Sequence, residues 1–281
     1  MSPQQHTGGP RRRPDASRAR PDSALILFAK APIPGQVKTR LCPPLSPDEA
    51  ASLHGSVVLD MLERSRGLSS TDRFVACFPS PDHVFFKILE ERHGVRLIAQ
   101  AGEDLGARMA LAFADVFAQG YRRVLVTGTD LPTLPGSAFS EALTLLDRYD
   151  LVLGPAQDGG YYLIGLRKPA PELFAGIPWS TDRVLALTQT KAAAAGLKTA
   201  LLPVRRDIDT LDDLVALIKE TEAAHQARDA RQSHRESRTS NLKPLAPHLS
   251  PRTAGVLRLL ADRLHRAAPS GQEARTPTAL S

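Results

Sequence analysis

The stretch Val124-Leu125-Val126-Thr127-Gly128-Thr129-Asp130-Leu131-Pro132 decides how this chain is read. Its opening residues show no polar alternation, the pattern of a strand buried on both faces of a parallel sheet, and they run straight into a carboxylate. An aspartate at the carboxyl end of a central strand is costly to desolvate unless a cation meets it. A hard divalent ion that also holds phosphate oxygens is one solution. Asp130 is therefore the leading candidate metal ligand. The competing role, a cap for the next helix, is weakened because Ser137 offers a cap there.

Outward from this stretch the hydrophobic period keeps switching. Ala24 to Ala29 is another continuous apolar run, followed by a loop with Pro32, Pro34 and Gly35. Ser46-Pro47-Asp48-Glu49 is a capping box that opens a helix with Leu53, Val57 and Met61 on one face. Further strands are predicted at Phe74–Phe78, Val95–Ala99, Leu151–Leu153, Tyr161–Leu166 and Thr199–Val204. Between and after them, helices are predicted from Ser80-Pro81-Asp82 to His93, over Leu105–Gln119, Ser137–Leu146, Asp182–Ala195 and Leu211–Thr221. Repeated βα units of this kind predict an α/β, Rossmann-like domain with a mostly parallel sheet and helices on both faces. The adjacent strands around Gly159-Gly160 predict one antiparallel intrusion.

The composition fits one globular body with solvated ends. Of 281 residues, 42% are hydrophobic and 23% charged, with only two cysteines, which excludes a disulfide scaffold. Residues 1–22 carry a net charge of +3 and residues 225–281 carry +6, so the body between them is at −3 despite the overall +6. A nucleic-acid-binding domain would show its positive face within the fold, so that class is excluded. No apolar run is long enough for a membrane span or a secretory signal, and a cytoplasmic protein is expected. The expected divisions are a disordered basic tail over 1–22, a domain over 23–225, and a mostly disordered basic tail over 226–281. Within the last, a helix is predicted at 253–267 from Val256, Leu257, Leu260 and Leu264.

Ligands in such sheets bind beyond the carboxyl ends of the strands, and three more loops there carry chemistry. Lys30-Ala31-Pro32-Ile33-Pro34-Gly35-Gln36-Val37-Lys38-Thr39-Arg40-Leu41 combines a stiffened turn with the point charge of Lys and the planar fork of Arg, which suits phosphate oxygens. It has neither Walker nor dinucleotide-fingerprint spacing. Gly154-Pro155-Ala156-Gln157-Asp158-Gly159-Gly160-Tyr161-Tyr162 leaves Asp158 as its only ionisable group beside two glycines that admit a close ligand. A plain Asp-Gly hairpin is the other reading of that loop. Arg205-Arg206-Asp207-Ile208-Asp209-Thr210 offers two carboxylates to a metal, while Thr210 with Asp213 fits a looser capping box.

These segments, with Gly102 to Met109 (Gly-Glu-Asp-Leu-Gly-x-Arg-Met) and Trp179-Ser180-Thr181, resemble bacterial GT-A-like transferases. The resemblance is to those described as selenodomain-associated or arsenosugar-biosynthesis-type glycosyltransferases. They are similar in turn to the nucleotidyltransferases of molybdopterin and phospholactate cofactor synthesis. The resemblance spans roughly Ala24 to Leu217. It implies a transferase that takes a nucleotide-sugar or a nucleoside triphosphate and a small-molecule acceptor, with Mg2+ or Mn2+. Lys30, Lys38, Thr39, Arg40, Asp104 and Arg108 would bind nucleotide and phosphate, and Asp130, Asp209 and Asp207 the metal. Asp158 would be the catalytic base, with Gly159, Gly160, Tyr161, Trp179 and Thr181 on the acceptor side. Glycosyl transfer is the first expectation, nucleotidyl transfer the alternative, and an inactive nucleotide-binding protein a third. The glycine-rich first loop of the molybdopterin type is missing here.

Overall fold

A computed structural model describes residues 21–220, 223 and 249–267. The strands are β1 Ser23–Lys30, β2 Thr71–Phe78, β3 Arg96–Ala99, β4 Arg123–Thr127, β5 Leu151–Pro155, β6 Tyr161–Leu166 and β7 Thr199–Leu201. The helices are α1 Pro47–Ser65, α2 Val84–His93, α3 Leu105–Ala118, α4 Gly136–Leu145 and α5 Val184–Ala194. Residues 211–220 form α6, and α7 is Pro251–Ala267.

One seven-stranded sheet runs in the order β3-β2-β1-β4-β6-β5-β7. All pairings are parallel except those of β6, which is antiparallel to both β4 and β5. This is the expected antiparallel intrusion. Successive side chains of β1 enter opposite faces, so its whole apolar run is buried. Leu25 and Leu27 join α1, α4 and α7 through Val57, Met61, Phe139 and Leu257. Ala24 and Ile26 join Phe113 of α3, with Phe174 and Ala192, on the other face. Helices therefore cover both faces of the sheet.

Chain order reverses between β1 and β4, and this is where α/β sheets of this type open a crevice. The register sharpens the opening. Thr127, the last residue of β4, pairs with Leu27, so β1 continues to Lys30 without β4 beside it. The loops after β1 and β4 part at that point. The β5–β6 hairpin loop emerges at the same end of the sheet, because β6 is antiparallel to both β4 and β5, so β5 runs the same way as β4.

The α1 capping box is present in both directions: Glu49 N–H donates to Ser46 Oγ and Ser46 N–H donates to Glu49 Oε2. Two other expected caps are corrected. The α2 cap is His83, whose ring accepts from Phe85 N–H, while Ser80 Oγ accepts from Asp82 N–H inside the preceding turn. Pro135 precedes α4, and Ser137 lies within the helix without capping it. The regular part of β7 ends at Leu201, although Leu202 and Arg205 N–H still donate to the Leu153 and Pro155 carbonyls.

The domain boundary at 225 also needs amendment. The expected C-terminal helix is found, and it lies on α1 as part of the body. Leu257, Leu260 and Ala261 are buried in the shared core. Arg252 and Thr253 hydrogen-bond the fully buried Asp60 carboxylate, at 3.2 and 2.6 Å, and Arg263 meets Glu49. The sequence pattern shows the apolar stripe of α7 but nothing of its partner, almost two hundred residues away. The expected disorder of residues 1–20, 226–248 and 268–281 concerns residues outside those described. Among the described residues, no helix is long and apolar enough to cross a membrane.

Candidate active site

A cleft of about 730 Å³ opens at the β1–β4 crevice. It is lined by Lys30, Lys38, Thr39, Arg40, Arg108, Asp130, Asp158, Gly160, Tyr161, Trp179, Thr181, Asp207 and Asp209, so nearly every residue singled out in the sequence meets there. Two do not line it. Asp104 caps α3, its Oδ1 accepting from Ala107 N–H at 2.7 Å. Gly159 is a backbone requirement. Its φ is +87°, and a Cβ there would stand 2.1 Å from the Asp182 carbonyl oxygen. This glycine lets the hairpin loop pack on the segment before α5.

At the floor, Lys38 sits in a left-handed conformation with φ 49°, rare for a residue with a side chain. Its ammonium is tied to Asp130, to Asp209 at 3.2 Å and to the Ile208 carbonyl. Ile208 N–H in turn donates to the Asp130 carbonyl at 2.9 Å, locking the loop after β4 to the segment before α6. Burial disfavours the Lys38 charge, yet Asp130, reinforced by Asp209, more than offsets it and holds the pKa above the ordinary lysine value. The reciprocal holds for Asp130, where partial desolvation in the cleft is outweighed by Lys38, which keeps its pKa below the ordinary carboxylate value although the side chain stays open to the cleft. Arg40 lies at the rim, 4.0 Å from Asp209 and largely exposed.

The hairpin-loop side of the cleft carries like charge. Burial pushes the Asp207 carboxyl up to about 6, and Asp158, then Asp209 and Asp130, add to it by repulsion. Asp158 Oδ1 accepts from Gly160 N–H at 2.8 Å, so the hairpin-turn reading holds while the same carboxylate faces the cleft. The Thr210–Asp213 cap is formed as well, with Asp213 Oδ2 accepting from the Thr210 backbone and hydroxyl. Trp179 closes this side, edge-on to Tyr161 with ring centroids 6.4 Å apart.

Among the described residues no three His, Cys, Asp or Glu side chains form a closed metal cage. The donors present are hard carboxylate oxygens, and Asp130 and Asp209 already converge on one cationic atom. Such a pair fits a magnesium-like ion whose remaining positions are filled by water and substrate phosphate oxygens.

The sequence leaves three polar lining residues unmarked: His54, Gln100 and Asp182. His54 on α1 is buried close to the charges of Asp130, Lys38 and Lys30, its Nε2 3.0 Å from the Lys30 carbonyl, and no local pattern marks it. Gln100 immediately follows β3 and donates from Nε2 to the carbonyls of Ala29 and Ala76, so the strand-end rule points to it. Asp182 borders the hairpin loop and is visible only once Gly159 is seen to pack on it.

Comparison with known proteins agrees with this fold. A crystal structure from Desulfovibrio desulfuricans G20, provisionally assigned as a nucleotide-diphospho-sugar transferase, has 33% sequence identity and a TM-score of 0.72. The match covers 87% of this chain and 97% of that one. The chain belongs to that protein's family. Residues 61–181 match the family described as an uncharacterized protein conserved in bacteria (DUF2064). A more distant relative is the 2-phospho-L-lactate guanylyltransferase of Methanothermobacter thermautotrophicus (strain Delta H), 28% identical over 195 residues, or 67% of this chain and 81% of that protein. The named relatives are transferases, the enzyme class expected from the sequence.

Proposed function

We propose that this cleft binds a nucleoside triphosphate with a divalent cation and transfers the nucleoside monophosphate to a small phosphorylated acceptor. The observation that supports a phosphate and cation site is the convergence of Lys38, Asp130 and Asp209 at the β1–β4 switch point, with Lys30 and Arg40 beside them. The choice of nucleotidyl transfer rests on the guanylyltransferase relative, whose named activity is of this kind. Asp130 and Asp209 would hold the cation, with Asp207 as a third carboxylate close by. When bound, a magnesium or manganese ion supplies charge neutralisation for the phosphates. Lys30, Lys38 and Arg40 orient the phosphate chain and stabilise negative charge as pyrophosphate departs. Thr39 offers a hydroxyl in the same loop. Arg108, whose guanidinium lies 5.0 Å from the Phe78 ring centroid, flanks the nucleoside end. Tyr161, Trp179, Thr181 and Gly160 shape the acceptor side.

A second reading, glycosyl transfer from a nucleotide-sugar, is favoured by the 33% identical Desulfovibrio protein. Under it the same ion and cations would stabilise a departing nucleoside diphosphate, and Asp158 would take the acceptor's proton. The leaving group separates the two. The purified protein is incubated with each nucleoside triphosphate, and separately with nucleotide-sugars, in Mg2+ or Mn2+ with a panel of small phosphorylated acceptors. Acceptor-dependent release of pyrophosphate is the expected result. Release of nucleoside diphosphate from a nucleotide-sugar, without pyrophosphate from any triphosphate, replaces the first reading with the second.

A further inference from the structure

A protonated lysine has three N–H donors, and those of Lys38 are engaged by Asp130, Asp209 and the Ile208 carbonyl. Its side chain is 8% exposed, whereas those of Asp130 and Asp209 are 51% and 41% exposed, with both residues lining the cleft. In this arrangement Lys38 has no donor left for a phosphate. The two carboxylates, however, remain open to an ion arriving from the cleft. We propose that Lys38 itself holds the cation position of this site, and that a divalent ion entering between Asp130 and Asp209 displaces its ammonium toward the phosphates.

The charge balance favours the exchange when nucleotide is present. Two carboxylates with one ammonium leave one negative charge, which repels a nucleotide. Two carboxylates with a divalent ion are neutral, and the released ammonium adds a positive charge where the phosphates lie. Metal and Lys38 therefore compete for the same oxygens, while metal and nucleotide support one another. The competition makes the metal alone a weak ligand of the wild-type protein. The exposed Arg40, 4.0 Å from Asp209, does not share the ammonium's buried position and is not displaced.

This inference rests on the cleft taking a cation with a nucleotide, and its test separates the two claims. Mn2+ binding is measured without nucleotide, by the electron paramagnetic resonance of free ion, for wild type and Lys38→Met. The variant should bind Mn2+ about tenfold more tightly or better, since a carboxylate pair has lost its buried counter-ion. Its affinity for GTP and CTP in Mn2+ should fall, and Asp209→Asn added to Lys38→Met should abolish the gain in metal binding. Opposite signs for metal and nucleotide cannot come from general damage to the fold. Should Lys38→Met fail to fold, the wild type is titrated with Mg2+ alone while its lysine ammonium NMR signals are followed. The Lys38 signal should shift or vanish through solvent exchange as Mg2+ binds. Equal or weaker Mn2+ binding by a folded Lys38→Met, or an ammonium signal unmoved at saturating Mg2+, overturns the inference and leaves the proposed function standing. Failure of every nucleotide to bind with metal overturns the proposed function instead.

Discussion

At the scale of single residues, Asp158 shows how one side chain can satisfy two readings of a sequence. Its Oδ1 accepts from Gly160 N–H as a turn residue does, and its charge helps to raise Asp207. Asparagine preserves the first role, since its side-chain oxygen accepts the same bond, and removes the second. The two proposed reactions then diverge. A phosphorylated acceptor already presents an ionised oxygen and needs no base, so under nucleotidyl transfer Asp158→Asn should lower turnover by less than about tenfold. Under glycosyl transfer the acceptor hydroxyl must lose a proton, and loss of a positioned base costs roughly 10²-fold or more. Steady-state turnover of the variant with the substrates that support the wild type decides between them. Asp158 was legible because chemistry and turn share one dipeptide. His54 was not, because its partner is a backbone carbonyl of β1, and no spacing along α1 encodes which carbonyl lies opposite.

At the scale of elements, most of the helices and strands could be read because their apolar periods and termini agree. The Tyr161–Leu166 strand and the Ser46 box are cases where pattern and turn chemistry coincide. Caps were less legible where several candidates stood in a row. At α2 the order Ser80, Pro81, Asp82, His83 offers more than one acceptor, and packing of Phe86 into the core selects the last. The largest gap was α7, whose stripe is visible but whose docking depends on Asp60 of α1. That carboxylate is fully buried, and Arg252 and Thr253 supply much of its compensation. Ending the chain at residue 223 should therefore destabilise the body. Arg64, 3.9 Å from the Asp60 carboxylate, then remains beside it without Arg252 and Thr253; stripping partners from a buried charge costs up to about 3–5 kcal/mol, and buried Leu257 and Leu260 are lost as well. For a domain of this size the melting temperature should drop by roughly 10 °C. Asp60→Asn in the shortened chain should recover part of the loss. An unchanged melting temperature after truncation would show that α7 contributes no stability where it lies.

At the scale of the whole molecule, the cleft is a joint between two parts of one sheet. The side of β1, β2, β3 and β4 carries Lys30, Lys38, Arg40 and Arg108, while the side of β5, β6 and β7 carries Asp158, Tyr161, Trp179 and Asp207. Gly106 and Trp179 meet across this joint. Gly106 lies in the first turn of α3, and a Cβ added there would stand 2.6 Å from two atoms of the Trp179 ring, too close for both to keep their places. The indole Nε1 is buried against this glycine and has no hydrogen-bond partner among the described residues, so the contact is set by shape alone. Alanine is the better helix former by up to about 1 kcal/mol, which offsets part of the clash in the stability of Gly106→Ala. Folding should therefore survive, and the strain should appear as a displaced Trp179. Because Trp179 packs on Tyr161, which the proposed function puts on the acceptor side, the acceptor should suffer while the loop around Lys38 is untouched. We expect kcat/KM for the acceptor to fall by roughly ten- to a hundred-fold, the scale of an ångström-sized misplacement. Nucleotide affinity, measured by calorimetry in Mg2+, should stay within about threefold of wild type. Equal losses in nucleotide and acceptor binding would mean that the two sides of the cleft are not separate in function, and the division drawn from the strand order would fail with them.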